Sequence, residues 1–350
     1  MRRFLLFLVA VLAFDAGASR RDLLRAIRIA PGPAAITSEF VARQRSEGLN
    51  AVLLYDLTGF DGDWQRPDEA AIARQLAIVR EHGMAAIVSL PALVPQPDGT
   101  NRSIPDDLLR ERLRVWSRNE RGEIAGFFFV HDDMAYLQTP ASEQRRWLAI
   151  AREIAPTIPV LGIVGEFALR RTDRFYWDAQ AFDHLLWIVY PYNLSSVWNR
   201  ALDHTATDDP DGELTRYLAD YTAAMKAALF DTLAPGQLIV PIIQTFTYEG
   251  EPPGSKPRPR DITLQVRTIN RELRTTLRQR DNFAMTYFYA VKSRANVPYP
   301  EPLGIYDVDG WTDAVIGENQ WLELMRRAWE TVREARPGGR LPADARAVLR

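Results

Sequence analysis

Short apolar runs alternate with amphipathic stretches along most of the chain. Eight runs rich in Val, Ile, Phe and Tyr predict strands, at residues 24–30, 51–56, 85–90, 124–131, 159–164, 185–190, 238–244 and 283–290. Between them apolar residues recur three or four positions apart, as Ile72, Leu76 and Val79 do within 67–82, which predicts helices. This strict alternation predicts an α/β fold, a single (β/α)8 TIM barrel.

The connections between these elements differ in length at the two ends of the strands. Further helices are predicted at 139–154, from Asp261 onward and at 318–335. Connections from helix to strand are short, whereas connections from strand to helix are long, at residues 91–105, 193–212, 245–260 and 292–317. Because functional loops of a TIM barrel follow the strand C-termini, we expect long βα loops and the functional site on the C-terminal face.

The two ends of the chain fall outside this pattern. Arg2 and Arg3 precede an apolar run at 4–14 and a small-residue segment ending at Ala18, which predicts a signal peptide over 1–18. An uncleaved anchor is the alternative, but the run is shorter than the roughly 20 residues of a membrane-spanning helix. We expect an exported protein, periplasmic or extracellular, with no stable membrane anchor after cleavage. Residues 19–336 form the barrel domain and 337–350 a disordered tail.

Composition removes several classes of function. The 350 residues are 47% hydrophobic and 25% charged, which is typical of a globular chain. Lys and Arg number 43 against 45 Asp and Glu, so no basic footprint for nucleic acid is present. The chain has no Cys, which excludes disulfides, thiolate metal sites and a Cys nucleophile. We expect no cofactor, and composition indicates no oligomeric state.

Carboxylates follow several of the predicted strands. Asp132 and Asp133 end strand four, Asp56 ends strand two, Glu166 lies beyond strand five and Glu249 beyond strand seven. Glycosidic hydrolysis uses two facing carboxyl groups, one as acid and the other as nucleophile or base. We favour Asp132 as the catalytic acid with Asp133 supporting it, and Glu249 or Glu166 as the second carboxylate. A helix cap or a surface ion pair is the alternative for the strand-four acids.

Polar and aromatic residues at the same strand ends and in the long loops are candidates for substrate binding. Tyr and Trp rings pack against the C–H faces of sugars, and their polar edges bond hydroxyl groups, although core packing is the alternative for each ring. The candidates are Asp56, His131, Tyr190, Tyr192, Asn193, Trp198, Gln244, Tyr248, Tyr287 and Tyr289. The Pro-rich basic segment 254–260 is either a flap for an anionic polymer or a solvated loop.

Three segments resemble secreted TIM-barrel glycoside hydrolases. They are Gly126 to Asp133, in which aromatic residues lead into acids, Tyr190 to Asn193, and Tyr287 to Tyr289. The resemblance covers roughly residues 22–336 as fold and strand-end chemistry. The fourth predicted strand ends in His131-Asp132-Asp133, where the large retaining clan of glycoside hydrolases has an Asn-Glu pair. That clan has a Glu at the end of strand seven, whereas Glu249 lies beyond the end of the seventh predicted strand.

The resemblance implies an exported glycoside hydrolase-like barrel that cleaves a polysaccharide or oligosaccharide by carboxylate acid/base chemistry. A carbohydrate-binding barrel without turnover is the alternative. A metal-assisted hydrolase or deacetylase that uses His131 and Asp133 is less favoured, because one His and one or two acids make an incomplete ligand set.

Overall fold

A computed structural model provides the structure of the protein. It describes residues 25–29, 36–46, 51–55, 67–95, 101–130, 138–170, 178, 181–192, 201–244, 247–248, 257–279, 285–289 and 302–303. The strands are β1 (Arg25–Ile29), β2 (Ala51–Tyr55), β3 (Ala85–Ser89), β4 (Leu93–Pro95), β5 (Asn101–Ser103), β6 (Ile124–Phe128), β7 (Val160–Val164), β8 (His184–Val189), β9 (Leu238–Ile243), β10 (Thr247–Tyr248), β11 (Met285–Tyr289) and β12 (Pro302–Leu303). The α-helices are α1 (Ser38–Ser46), α2 (Glu69–Glu81), α3 (Asp106–Asn119), α4 (Ala141–Ile154), α5 (Phe167–Arg170), α6 (Pro210–Ala228) and α7 (Pro259–Thr275).

The long strands form one parallel, curled sheet. Hydrogen-bonded neighbours follow the order β2, β3, β6, β7, β8, β9, β11, β1, and β1 also pairs with β2. Each of the eight predicted apolar runs overlaps one of these strands, so the α/β class and the parallel sheet are confirmed. The predicted helix at 318–335 and both chain ends, 1–18 and 337–350, lie outside the described residues.

Alternating side chains divide the core into two layers. Inside the curl lie Ala51, Leu53, Ile87, Phe128, Leu161, Ile163, Leu186, Val240 and Ile242. The intervening strand residues, such as Val52, Val88 and Trp187, belong to an outer cluster that also contains helix residues. Strands buried on both faces read as continuous apolar runs, which is why the sequence predicted them well.

Local signals place the helix ends. Asp68 precedes α2 and its side chain accepts a hydrogen bond of 3.0 Å from the Ala71 N–H. Asp209 precedes α6 and accepts a hydrogen bond of 3.0 Å from the Gly212 N–H, with Pro210 as the first helical residue. After α2 the chain turns back through Gly83 at a φ of 59°, a conformation that favours glycine, so a short connection leads into β3.

Three long βα connections contribute strands to two short antiparallel pairs that the sequence pattern did not predict. In the connection after β3, β4 pairs with β5. The other pair joins two different connections, because β10 follows β9 and β12 follows β11. Both pairs follow C-terminal ends of the parallel strands, and they give fixed structure to loops on that side of the sheet.

Candidate functional site at the C-terminal strand ends

The side chains that fill the curl change from apolar to polar at the C-terminal strand ends. Ile87 belongs to the inner cluster, and alternation along β3 gives Ser89 the same side of the sheet. Tyr190 follows β8 and packs against the inner cluster. Gln244 follows β9 in phase with Val240 and Ile242. We call Ser89, Tyr190 and Gln244 the polar layer, and it is the candidate site.

Ser89 is the member of the polar layer that the sequence candidates omitted. It is the last residue of β3, it is paired with Tyr55 in β2 and Phe128 in β6, and its exposed fraction is 0%. Its hydroxyl oxygen has no hydrogen-bond partner among the residues that the structure describes. A Ser at the end of the run Ala85–Ser89 carries no distinguishing signal in the sequence, because only the sheet register shows which side it faces.

Gln244 ties two strand ends together. Its side-chain oxygen Oε1 accepts a hydrogen bond of 2.9 Å from the backbone N–H of Tyr192, which follows β8. Its own carbonyl oxygen accepts a hydrogen bond of 3.3 Å from Nε2 of Gln265 in α7. Gln244 is fully buried, so the predicted binding residue also fixes the positions of the β8 and β9 ends.

Tyr192, another predicted binding residue, lies in the outer cluster. Its exposed fraction is 1%, and its ring meets that of His204 edge to face with 6.3 Å between centroids. Burial raises the pKa of the Tyr192 phenol well above its usual range, and the nearby Asp261 carboxylate raises it further. The ring is therefore a packed, neutral side chain, while the Tyr192 backbone meets the polar layer through Gln244.

The basic segment before α7 contributes a structural ion pair. Arg258 donates to the Asp261 carboxylate from its backbone N–H at 2.8 Å, from Nε at 2.9 Å and from Nη2 at 2.6 Å. Asp261 is fully buried, and its carboxylate raises the pKa of the Arg258 guanidinium, chiefly through this hydrogen bonding. Arg260 pairs with Asp211 at 3.0 Å. Both arginines thus have acidic partners within the protein. Residues 254–256 of the basic segment lie outside the described residues, so its role as a flap or a solvated loop stays a prediction.

Glu166 is the one predicted catalytic acid that the structure describes. It is half-buried, it follows β7 by two residues, and its carbonyl oxygen accepts a hydrogen bond of 3.0 Å from the N–H of Leu169 in α5. The structure therefore places Glu166 at the C-terminal end of the sheet, on the same side as the polar layer.

The other predicted site residues are tested only in part or not at all. Tyr248 lies in β10, and Tyr287 and Tyr289 lie in β11, but their side chains are not among the parts of the chain that the structure describes. Outside the described residues altogether lie Asp56, His131, Asp132, Asp133, Asn193, Trp198 and Glu249. The fourth predicted strand, residues 124–131, corresponds to β6, which is shorter and ends at Phe128, although Phe129 and Val130 remain buried. The chemical roles of the predicted site residues named in this paragraph stay predictions.

Neither a membrane-spanning helix nor a cluster of metal ligands is found among the described residues. No helix there has the length and apolar character needed to cross a bilayer. The same residues contain no cluster of three His, Cys, Asp or Glu side chains suited to a metal ion. Because His131 and Asp133 lie outside them, the metal-assisted alternative stays a prediction.

The fold is shared with glycoside hydrolases of known structure. A GH5_18 from Bifidobacterium longum subsp. infantis matches with a TM-score of 0.58 at 13% identity, over 88% of this chain and 79% of that one. A β-galactosidase from Halorubrum lacusprofundi matches with a TM-score of 0.55 at 12% identity over 88% of this chain, which spans 58% of that enzyme. A β-1,3-glucanosyltransferase from Rhizomucor miehei matches with a TM-score of 0.52 at 13% identity, over 82% of this chain and 94% of that one.

These likenesses show the fold alone, because all three identities are low. No protein-family model matches the chain, and no curated protein sequence matches it. The structure therefore defines an α/β protein with the TIM-barrel-like fold of glycoside hydrolases.

Proposed function

We propose that the protein is an exported glycoside hydrolase with a complete (β/α)8 barrel, acting on a polysaccharide or oligosaccharide. The observation that carries the proposal is the polar layer, in which Ser89, Tyr190 and Gln244 replace the apolar filling of the curl where the parallel strands end. Active sites of this fold lie at that end. The likeness to a GH5_18 and a β-galactosidase supports the choice of sugar chemistry among the many chemistries of the fold.

The proposed reaction divides the work between two carboxyl groups. Asp132 protonates the leaving glycosidic oxygen, and Asp133 supports it. Glu166 or Glu249 acts on the anomeric carbon, directly or through water. A separation of about 5 to 5.5 Å between the two carboxyl groups gives retention, whereas about 6.5 to 9.5 Å gives inversion. Glu166 suits the second role because it lies at the same end of the sheet as the polar layer.

Binding and bond cleavage, measured side by side, test this function. Purified residues 19–350 are incubated with a panel of polysaccharides, and each is scored for affinity by titration calorimetry and for release of reducing ends. Cleavage of a bound glycan is the expected result. Binding without cleavage of any glycan overturns the hydrolase and establishes the carbohydrate-binding alternative. The sequence His131-Asp132-Asp133 after β6 favours this alternative, because it stands where the large retaining clan of glycoside hydrolases has an Asn-Glu pair.

Export is tested separately. Signal-peptide removal after Ala18 predicts an exported product that lacks residues 1–18. Intact-mass measurement of protein collected outside the cytoplasm checks this, and an exported mass that retains Met1 contradicts cleavage.

A further inference from the structure

Ser89 occupies a position between two strand ends that carry candidate acids. Its register partners are Tyr55, which Asp56 follows, and Phe128, after which the chain continues to His131-Asp132-Asp133. Alternation along β3 turns the Ser89 side chain to the inside of the curl, in the polar layer. The hydroxyl therefore lies on the axis side of the sheet, at the end where active sites of this fold form.

The Ser89 hydroxyl is both fully buried and without a hydrogen-bond partner among the described residues. A buried hydroxyl lowers stability when folding removes it from water and no protein group replaces the lost hydrogen bond, and no described residue replaces it here. Alanine would fill nearly the same volume without that loss. The nearest inner residues, Ile87 in β3 and Phe128 in β6, show that this interior accepts apolar side chains. Among the described residues the hydroxyl therefore has a cost and no intramolecular use, which leaves it for a group bound in the polar layer.

We propose that Ser89 is a substrate-binding residue whose hydroxyl pairs with a hydroxyl group of the sugar bound deepest in the site. This inference rests on the proposed function, because it takes the ligand of the polar layer to be a carbohydrate. A sugar hydroxyl suits the position, since it both donates and accepts and needs no charge on the protein. The role also predicts that the sugar enters the curl down to the polar layer, so its ring meets Tyr190 on the way.

The test compares Ser89→Ala with the wild type in glycan affinity and in urea unfolding. The control is Ser117→Ala, on α3, where the lost hydroxyl donates a 2.7 Å hydrogen bond to the Leu113 carbonyl oxygen. We expect Ser89→Ala to bind the glycan about 2- to 10-fold more weakly, the value of one neutral hydrogen bond, while its unfolding midpoint is no lower than that of the wild type. Ser117→Ala is expected to leave the affinity unchanged, because Ser117 lies on a helix and not in the polar layer.

Two variants of equal shape isolate the hydroxyl from changes in packing. Ser89→Thr keeps the hydroxyl and Ser89→Val replaces it with a methyl group, so tighter binding by the Thr variant is expected. Wild-type affinity in Ser89→Ala, or equal affinity in the Thr and Val variants, overturns the role of Ser89 while the proposed function stands. A wild type that binds no glycan of the panel overturns both.

Discussion

The backbone N–H of Tyr192 donates a hydrogen bond of 2.9 Å to the side-chain oxygen of Gln244. The bond connects the segment after β8 with the end of β9, both at the C-terminal side of the sheet. Because both residues are buried, no solvent replaces the acceptor if Gln244 is removed. Gln244 therefore belongs to the polar layer and also holds the segment after β8, which carries Tyr190, in place.

Replacing Gln244 with Met is expected to lower the free energy of unfolding by about 1 to 3 kcal/mol, because a buried N–H loses its acceptor. Urea unfolding measures this loss. In the same variant the KM for the cleaved glycan should rise, since the segment after β8 is no longer held.

The matched control is Gln237→Met at the opposite end of β9. Gln237 accepts a hydrogen bond of 2.6 Å from the Ala234 N–H and donates one of 2.7 Å to the Phe182 carbonyl oxygen. Its loss should reduce stability and leave KM unchanged. Equal KM values for both variants would remove the positioning role of Gln244.

The Arg258 and Asp261 pair should matter far more than its exposed neighbour. Asp261→Asn leaves a partly buried guanidinium without its carboxylate, so we expect a loss of about 3 kcal/mol in the free energy of unfolding. Arg260→Gln removes an ion pair whose side chains are 55% and 54% exposed, so the change should stay within about 0.5 kcal/mol. Similar losses for the two variants in urea unfolding would contradict this account of the α7 start.

Gly162 in β7 lies so close to the ring of Phe182 that a side chain at this position has no room. A Cβ at this position would lie 2.6 Å from the ring of Phe182. Gly162→Ala should therefore cost about 1 to 3 kcal/mol of unfolding free energy through overpacking. The double variant with Phe182→Leu should lose less than the sum of the single losses. Strict additivity in thermal or urea unfolding would show that the ring contact is not the cause.

Tyr192 should make stability fall in alkaline solution. Burial, with the Asp261 carboxylate second, raises the pKa of the phenol in the folded chain. The contribution of the neutral phenol to the free energy of unfolding is fully present below the pKa of a Tyr phenol in the unfolded chain, about 10. Above that value the unfolded chain releases the proton and the folded chain keeps it, so stability falls by about 1.4 kcal/mol per pH unit. Tyr192→Phe should remove this slope, and identical slopes for both proteins in urea unfolding between pH 9 and about 11.5 would contradict it.

The sequence predicted the strands well and the site less completely. Strands such as β7 and β9 are buried on both faces, and this burial leaves a continuous apolar run in the sequence. The pair of β10 and β12 was missed because it joins two short segments far apart in the chain. Nothing local in either segment indicates a strand.

The site residues were predicted less completely than the strands for a related reason. The type of residue at a strand end can be read from the sequence, but the side it faces depends on register and on the turn that follows. Tyr192 was expected beside the substrate, yet after Pro191 its ring lies in the outer cluster. Ser89 was overlooked, yet its register places it in the polar layer. Register is a long-range property, so the sequence identifies the face of the sheet better than the individual side chains.

Asp132→Asn tests whether carboxylates at the C-terminal strand ends cleave a glycosidic bond. Release of reducing ends from the cleaved glycan is followed for the wild type and the variant at equal concentrations of folded protein. We expect the variant to retain glycan affinity and to lose at least about 100-fold in kcat, because a positioned general acid contributes about that much or more. A variant that cleaves at the wild-type rate would contradict this role of the carboxylates.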